Sequence, residues 1–172
     1  MKFSINKLFS KSAHEYPPIG LNAAVYFDDR SFLICADHYT VGRMNGPGRP
    51  FRLVGRDSPT LDIGRAVKFC LKESRSNLSD AERESESKII CKELGVSSTN
   101  ALSVRLGYVS VHFAGESVQI TPWRPSQEGG YIRLRNDPEY SCPNTSEGIG
   151  ETIQAATRVP LDPFLPDEHT DE

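Results

Sequence analysis

The sequence predicts an α+β domain, a mostly antiparallel sheet of about five or six strands in two or three hairpins, covered by about three or four helices. Three observations predict it. Two apolar, β-rich runs face each other across a polar turn near the start of the chain. Alternation of period two runs through residues 108–121. Segments with helical spacing lie between and after these β regions, with no strand-helix-strand alternation of the kind that builds parallel sheets.

The first hairpin organises the rest. Ala23-Ala24-Val25-Tyr26-Phe27 bends at Asp28-Asp29-Arg30 and returns as Phe32-Leu33-Ile34-Cys35-Ala36. The return run is apolar without alternation, which predicts a strand covered on both faces. It ends in Asp37-His38-Tyr39. A loop containing Gly42, Gly46, Pro47, Gly48 and Pro50 follows, too rich in breakers for a helix, and then a third run over Phe51–Val54.

The block FLICADHYTVGRMNGPGRPFRL, with the opening KFSINKLFSKSAHEYPP before it, resembles the immunity proteins of bacterial contact-dependent growth inhibition systems. The likeness lies in the pattern ADHY…GRM.G.G.P.RL and covers about the first third of the chain. It implies a cytoplasmic protein that binds one toxin domain, often a nuclease, and blocks it without catalysis of its own. It also implies no cofactor, no metal and no catalytic residue.

Further along, Thr60 is a plausible N-cap, Asp62 suits the first turn, and Ile63, Val67, Cys70 and Leu71 share one helical face up to Ser76-Asn77. A second helix opens at Ser79 with Glu82 completing a capping box, carries a Glu84/Lys88 pair, and stops at Gly95. Its apolar side is confined to Ile89, Ile90, Cys91 and Leu94. Ser97-Ser98-Thr99-Asn100 followed by Ala101, Leu102 and Val104 predicts a short third helix. Val109, Val111 and Phe113 then alternate with Tyr108, Ser110 and His112, and Val118 and Ile120 answer them after a turn at Ala114–Ser117. Pro122 and Pro125 stop that strand or leave it at an edge. A strand over Tyr131–Arg135 follows, with Ile132 and Leu134 inward and Tyr131, Arg133 and Arg135 outward, then a loop with Pro138 and Pro143. A last helix from about Asn144 buries Ile149, Ile153 and Ala156. The domain spans 1–160, and 161–172 is an acidic, Pro-containing tail.

Composition narrows the function classes. The chain has 172 residues, 37% hydrophobic and 25% charged, enough for one domain with its own core. No window approaches the roughly 18 apolar residues of a membrane span. The N-terminus, with Lys2, Lys7 and Lys11, lacks the apolar core of a secretory signal and reads as a basic first turn or short amphipathic helix. Net charge is −3, but five acids lie from Asp162 onward with no Lys or Arg, leaving 20 basic and 18 acidic groups before them. A body so near neutrality fits neither a nucleic-acid binder nor a strongly acidic mimic of one. Cys35, Cys70, Cys91 and Cys142 show no CxxC spacing and read as buried small hydrophobes.

Three candidate chemistries remain. Asp37 beside His38, with Asp28 and Asp29, offers a general base or metal ligands for a small hydrolase or nuclease. Neighbours on a strand point to opposite faces, however, so the preferred reading has them pinning the glycine-rich loop by backbone hydrogen bonds. Trp123, Tyr131, Arg133 and Arg135 offer either a stacking surface for single-stranded nucleic acid or a protein interface. The immunity reading places toxin contacts on Glu82, Glu84 and Glu86, on Trp123, Tyr131, Arg133 and Arg135, and on Asp137, Glu139 and Tyr140. It works by occluding the toxin's active site or by strand addition.

Overall fold

A computed structural model describes residues 21–42, 44–126 and 129–158. The expectations for the N-terminal helix and the acidic tail fall outside these residues. Strands β1 (Asn22–Phe27) and β2 (Ser31–Tyr39) form the first hairpin, with the Asp28 carboxylate accepting from the Arg30 and Ser31 amides in its turn. Strand β3 (Asn45–Gly55) pairs antiparallel to β2. Helices α1 (Thr60–Glu73), α2 (Asp80–Leu94) and α3 (Thr99–Arg105) follow, then β4 (Gly107–Ala114), β5 (Ser117–Pro125), β6 (Tyr131–Ile132), β7 (Tyr140–Pro143) and α4 (Ser146–Ala156). The sheet order is β3-β2-β1-β4-β5-β6, with β7 also on β5, and every ladder is antiparallel.

Helices cover both faces, as the unbroken apolar run of β2 predicts. Phe32 and Ile34 join Val25, Val109, Val111 and Ile120 under α1 and α4, through Ile63, Val67, Ile149 and Ile153. Leu33 and Cys35 join Ala24, Tyr26 and Tyr108 on the other face, under Ile90 of α2 and Leu102 of α3. All four cysteines are buried and free.

The structure corrects several boundaries. The glycine-proline segment is largely strand: Asn45 to Gly48 pair with Tyr39 to Ala36, and Arg49 and Pro50 form a bulge opposite Cys35/Ala36. Prolines are tolerated because β3 is an edge, and α2 supplies the hydrogen bonds of that edge. The Arg49 amide donates to Glu86 Oε2 (3.1 Å), Ser87 Oγ donates to the Pro47 carbonyl (3.2 Å), and Arg83 Nη1 donates to the Asn45 carbonyl (3.4 Å). The cap of α1 is Pro59 rather than Thr60, and the helix ends at Glu73, before Ser76-Asn77. Thr145, not Asn144, caps α4, its side chain accepting from the Gly148 amide. Strand β5 runs through Pro122, which falls between the stretch paired with β7 and the stretch paired with β6, where no ladder partner needs its missing N–H. The expected strand 131–135 is only Tyr131–Ile132, because the Asp137 carboxylate takes the Leu134 amide (2.8 Å) into a turn. Tyr131 therefore turns inward and Leu134 is 38% exposed. The loop expected around Pro138 and Pro143 contains β7.

Candidate functional site

Asp37 and His38 diverge, as alternation along β2 requires. His38, fully buried, lies on the α1 side, where its Nδ1 accepts from the Arg75 amide (3.0 Å) and its Nε2 faces the Arg49 carbonyl (2.9 Å). That pair of partners selects the neutral ring with the proton on Nε2. A Cβ on Gly48 would stand 2.3 Å from His38 Cδ2, so the ring fits only over a glycine. Burial lowers the pKa of His38 below its ordinary 6.5. Its contribution to stability is then complete above pH 6.5 and lost as pH falls toward the depressed value. We expect ¹⁵N ring shifts of the Nε2–H tautomer to persist below pH 6.5. A charged ring at pH 6.5 would contradict the geometry. Asp28 and Asp29 lie in the turn before β2, nine and eight residues ahead of Asp37, and the strand from Ser31 to Asp37 alone spans roughly 20 Å, so the hydrolase constellation does not assemble. Among the described residues, no group of three His, Cys, Asp or Glu side chains is placed to hold a metal.

On the opposite face, Asp37 floors a cleft of about 230 Å³. Tyr26 and Tyr108, cross-strand partners on β1 and β4, stack at 5.1 Å between ring centroids. Tyr131 packs on Tyr108 at 4.8 Å, and Trp123 flanks it at 6.2 Å. Asn45, Arg83, Ser87, Thr99 and Asn100 complete the wall. Asp37 is 3% exposed, and its carboxylate accepts from Asn45 Nδ2 (2.8 Å) and has no basic partner among the described residues. Burial raises its pKa from 3.8 to about 6, against the lowering effect of Asn45 and the Gly46 amide. Burial also pushes the Tyr26 and Tyr108 phenols well up, with Asp37 adding to both shifts.

The sequence candidates for partner binding distribute unevenly around this cleft. Trp123 and Tyr131 line it, anchored by indole donation to Ser110 Oγ (2.8 Å) and phenol donation to the Leu106 carbonyl (2.9 Å). Glu82 and Glu84 are exposed on α2, occupied by the Ser79 capping box and by Lys88 (2.8 Å). Glu86, with a side chain 12% exposed, clamps Arg49 (2.9 Å) and Arg75 (3.3 Å), and hydrogen bonding from Arg49 holds its pKa down to about 2. Asp137 is buried against Arg124 (2.6 Å), whereas Arg133 pairs with Glu139 (2.6 Å) nearer the surface. Arg135 is exposed, and Tyr140 lies on β7. The sequence reading missed Tyr26, Tyr108, Asn45, Arg83 and Asn100 as one site. Only the β1–β4 register sets the two tyrosines side by side.

No protein-family profile matches the chain, and no curated protein sequence matches it. Among solved structures, it is similar to a protein of unknown function from Neisseria meningitidis, with a TM-score of 0.64 and 18% identity over 81% of this chain and 95% of that one. It is also similar to a chain of the CdiA-CT/CdiI toxin and immunity complex from Yersinia pseudotuberculosis, with a TM-score of 0.62 and 17% identity over 80% of this chain and 95% of that one. At these identities the likeness is one of fold.

Proposed function

We propose that the chain is an immunity protein, binding the toxin domain of a contact-dependent growth inhibition system one-to-one and neutralising it in the cytoplasm. The observation that carries the reading is the fold shared with a chain of a toxin and immunity complex over 80% of this chain. The N-terminal sequence block supports it independently. The partner is a protein, and a nuclease is the toxin class we favour. The surface we assign to it surrounds the aromatic cleft, to whose lining α2 contributes Arg83 and Ser87 and the chain from Trp123 to Tyr131 contributes Trp123, Gly130 and Tyr131. Opposite charges there speed encounter and set specificity more than they add affinity.

The test is a calorimetric titration of the full chain against the toxin domain encoded beside it, with a toxicity-rescue assay. We expect a Kd on the order of nanomolar. Trp123→Ala, or Arg133→Ala with Arg135→Ala, is expected to weaken binding about tenfold or more while the chain stays folded. Glu82→Ala with Glu84→Ala is expected to change mainly the on-rate and its salt dependence. Unchanged rescue across all three variants would remove this surface from the interface, and absence of binding by the well-folded chain would overturn the reading.

A further inference from the structure

The cleft over Asp37 is built for a guest. A carboxylate taken out of water needs a counter-charge, or it costs stability. Here the lone side-chain donor among the described residues is the neutral amide of Asn45. Neither the Tyr26 nor the Tyr108 hydroxyl has a hydrogen-bond partner among the described residues, although both side chains line the cleft beside that carboxyl. Each of these hydroxyls can accept a hydrogen bond as well as donate one. Arg83, the basic residue of the lining, is held by Nη1 on the Asn45 carbonyl, keeps its buried Nε without a partner among the described residues, and forms no ion pair with Asp37.

We propose that this cleft receives one cationic side chain, the ammonium of a lysine or the guanidinium of an arginine, presented by a protein partner. Asp37 serves as its counter-ion, the hydroxyls of Tyr26 and Tyr108 as further acceptors, and the aromatic walls supply cation–π attraction. The partner source rests on the immunity reading; the cation preference rests on the cleft alone. A cationic guest favours the ionised carboxylate, so binding strengthens as pH rises through about 6. The other titratable groups facing Asp37 are the Tyr26 phenol of β1, Cys35 and Tyr39 of β2, and Tyr108 of β4, all raised by burial first. Tyr131 of β6 is raised likewise by burial, and Arg83 of α2 is the remaining charge. These uncharged phenols and thiol leave Asp37 to set the pH response between about pH 5 and 8.

Trp123 is the single tryptophan of the chain and lines the cleft, so its emission reports occupancy directly. The full chain is titrated with n-butylguanidinium and n-butylammonium, and with n-butylurea as the neutral isostere, at pH 5 and 7.5. Saturable change with the two cations, at a Kd roughly millimolar, no change with the urea, weakening at pH 5, and loss in Asp37→Asn are the expected results. Tyr108→Phe, which keeps the ring, should weaken binding less than Asp37→Asn. Arg83→Gln gives the sign: removal of a like charge should tighten both cations, and weaker cation binding instead would overturn the proposal. In the partner arm, Asp37→Asn should weaken toxin binding about tenfold or more without lowering thermal stability. Equal toxin binding by both chains would overturn the partner source and leave the immunity reading standing. No toxin binding by either, with cation binding that depends on Asp37, would defeat the immunity reading and leave the cleft a cation site. No dependence on Asp37 in either arm would end the proposal.

Discussion

Gly64→Ala and Gly150→Ala are each expected to destabilise the domain by roughly 3 kcal/mol, the upper part of the range for overpacking a close contact. A Cβ on Gly64 would stand 1.8 Å from the Ser146 carbonyl oxygen, and one on Gly150 would stand 1.8 Å from the Thr60 carbonyl oxygen. The two contacts are reciprocal: each glycine sits one turn inside its helix and meets the first residue of the other, so α1 and α4 run antiparallel with their first turns in contact. The obstacle is backbone, which cannot swing aside as a side chain would. Making room means moving the helices apart, which loosens Ile63, Val67, Ile149 and Ile153 against the sheet. For a domain of this size the loss corresponds to a fall in Tm of roughly 6–12 °C. Gly95→Ala is the control. Gly95 closes α2 at φ +65° with nothing within 4 Å of a new Cβ, so only the left-handed conformation is penalised, at about 1 kcal/mol. Urea denaturation of the three variants decides it: if Gly64→Ala costs no more than Gly95→Ala, the helices do not cross at these glycines.

Asp37→Asn is expected to stabilise the chain at neutral pH. The Asp37 pKa, raised by burial to about 6, lies above its unfolded value of 3.8. A raised carboxyl contributes stability that is fully present below the unfolded value and lost as pH rises through the folded one. The shift of about two units corresponds to a loss on the order of 3 kcal/mol by pH 7. An asparagine accepts from Asn45 with its oxygen and carries no charge, so we expect a gain of about 1–2 kcal/mol at pH 7.5 that shrinks toward zero by about pH 4. His38 works in the opposite sense over an overlapping range, but it is common to both chains and cancels in the comparison. Denaturation of the two proteins at pH 4, 5.5 and 7.5 gives the curve. A difference independent of pH, or a variant less stable at pH 7.5, would mean that the carboxyl is not ionised at a cost in the folded chain. A position where the neutral isostere is more stable is one where stability has been given up for another purpose, which is how the cleft separates itself from the rest of the sheet.

The sequence alone determined the class of the fold and the local limits of several elements, because those follow from short-range chemistry. The capping box at Ser79 and Glu82, the left-handed stop at Gly95 and the 3.6-residue stripe of Ile63, Val67, Cys70 and Leu71 each act within a few residues. The two-sided burial of β2 was legible in the same way, since only a strand covered twice carries five apolar residues in a row. The opposed directions of Asp37 and His38 also followed from strand geometry. What no local rule contains is which distant segments meet. The glycine-proline stretch reads as loop until a helix some 40 residues on supplies Arg83, Glu86 and Ser87 to its edge. Tyr131 reads as outward until the turn at Asp137 rotates it inward. The cleft depends on the register that sets Tyr26 opposite Tyr108 and on helix packing that closes over Asp37. Burial and pairing of charge are sums over neighbours far apart in sequence. That is why the tertiary structure alone decided which carboxylate is a structural clamp, Glu86, and which stands buried without a counter-charge among the described residues, Asp37.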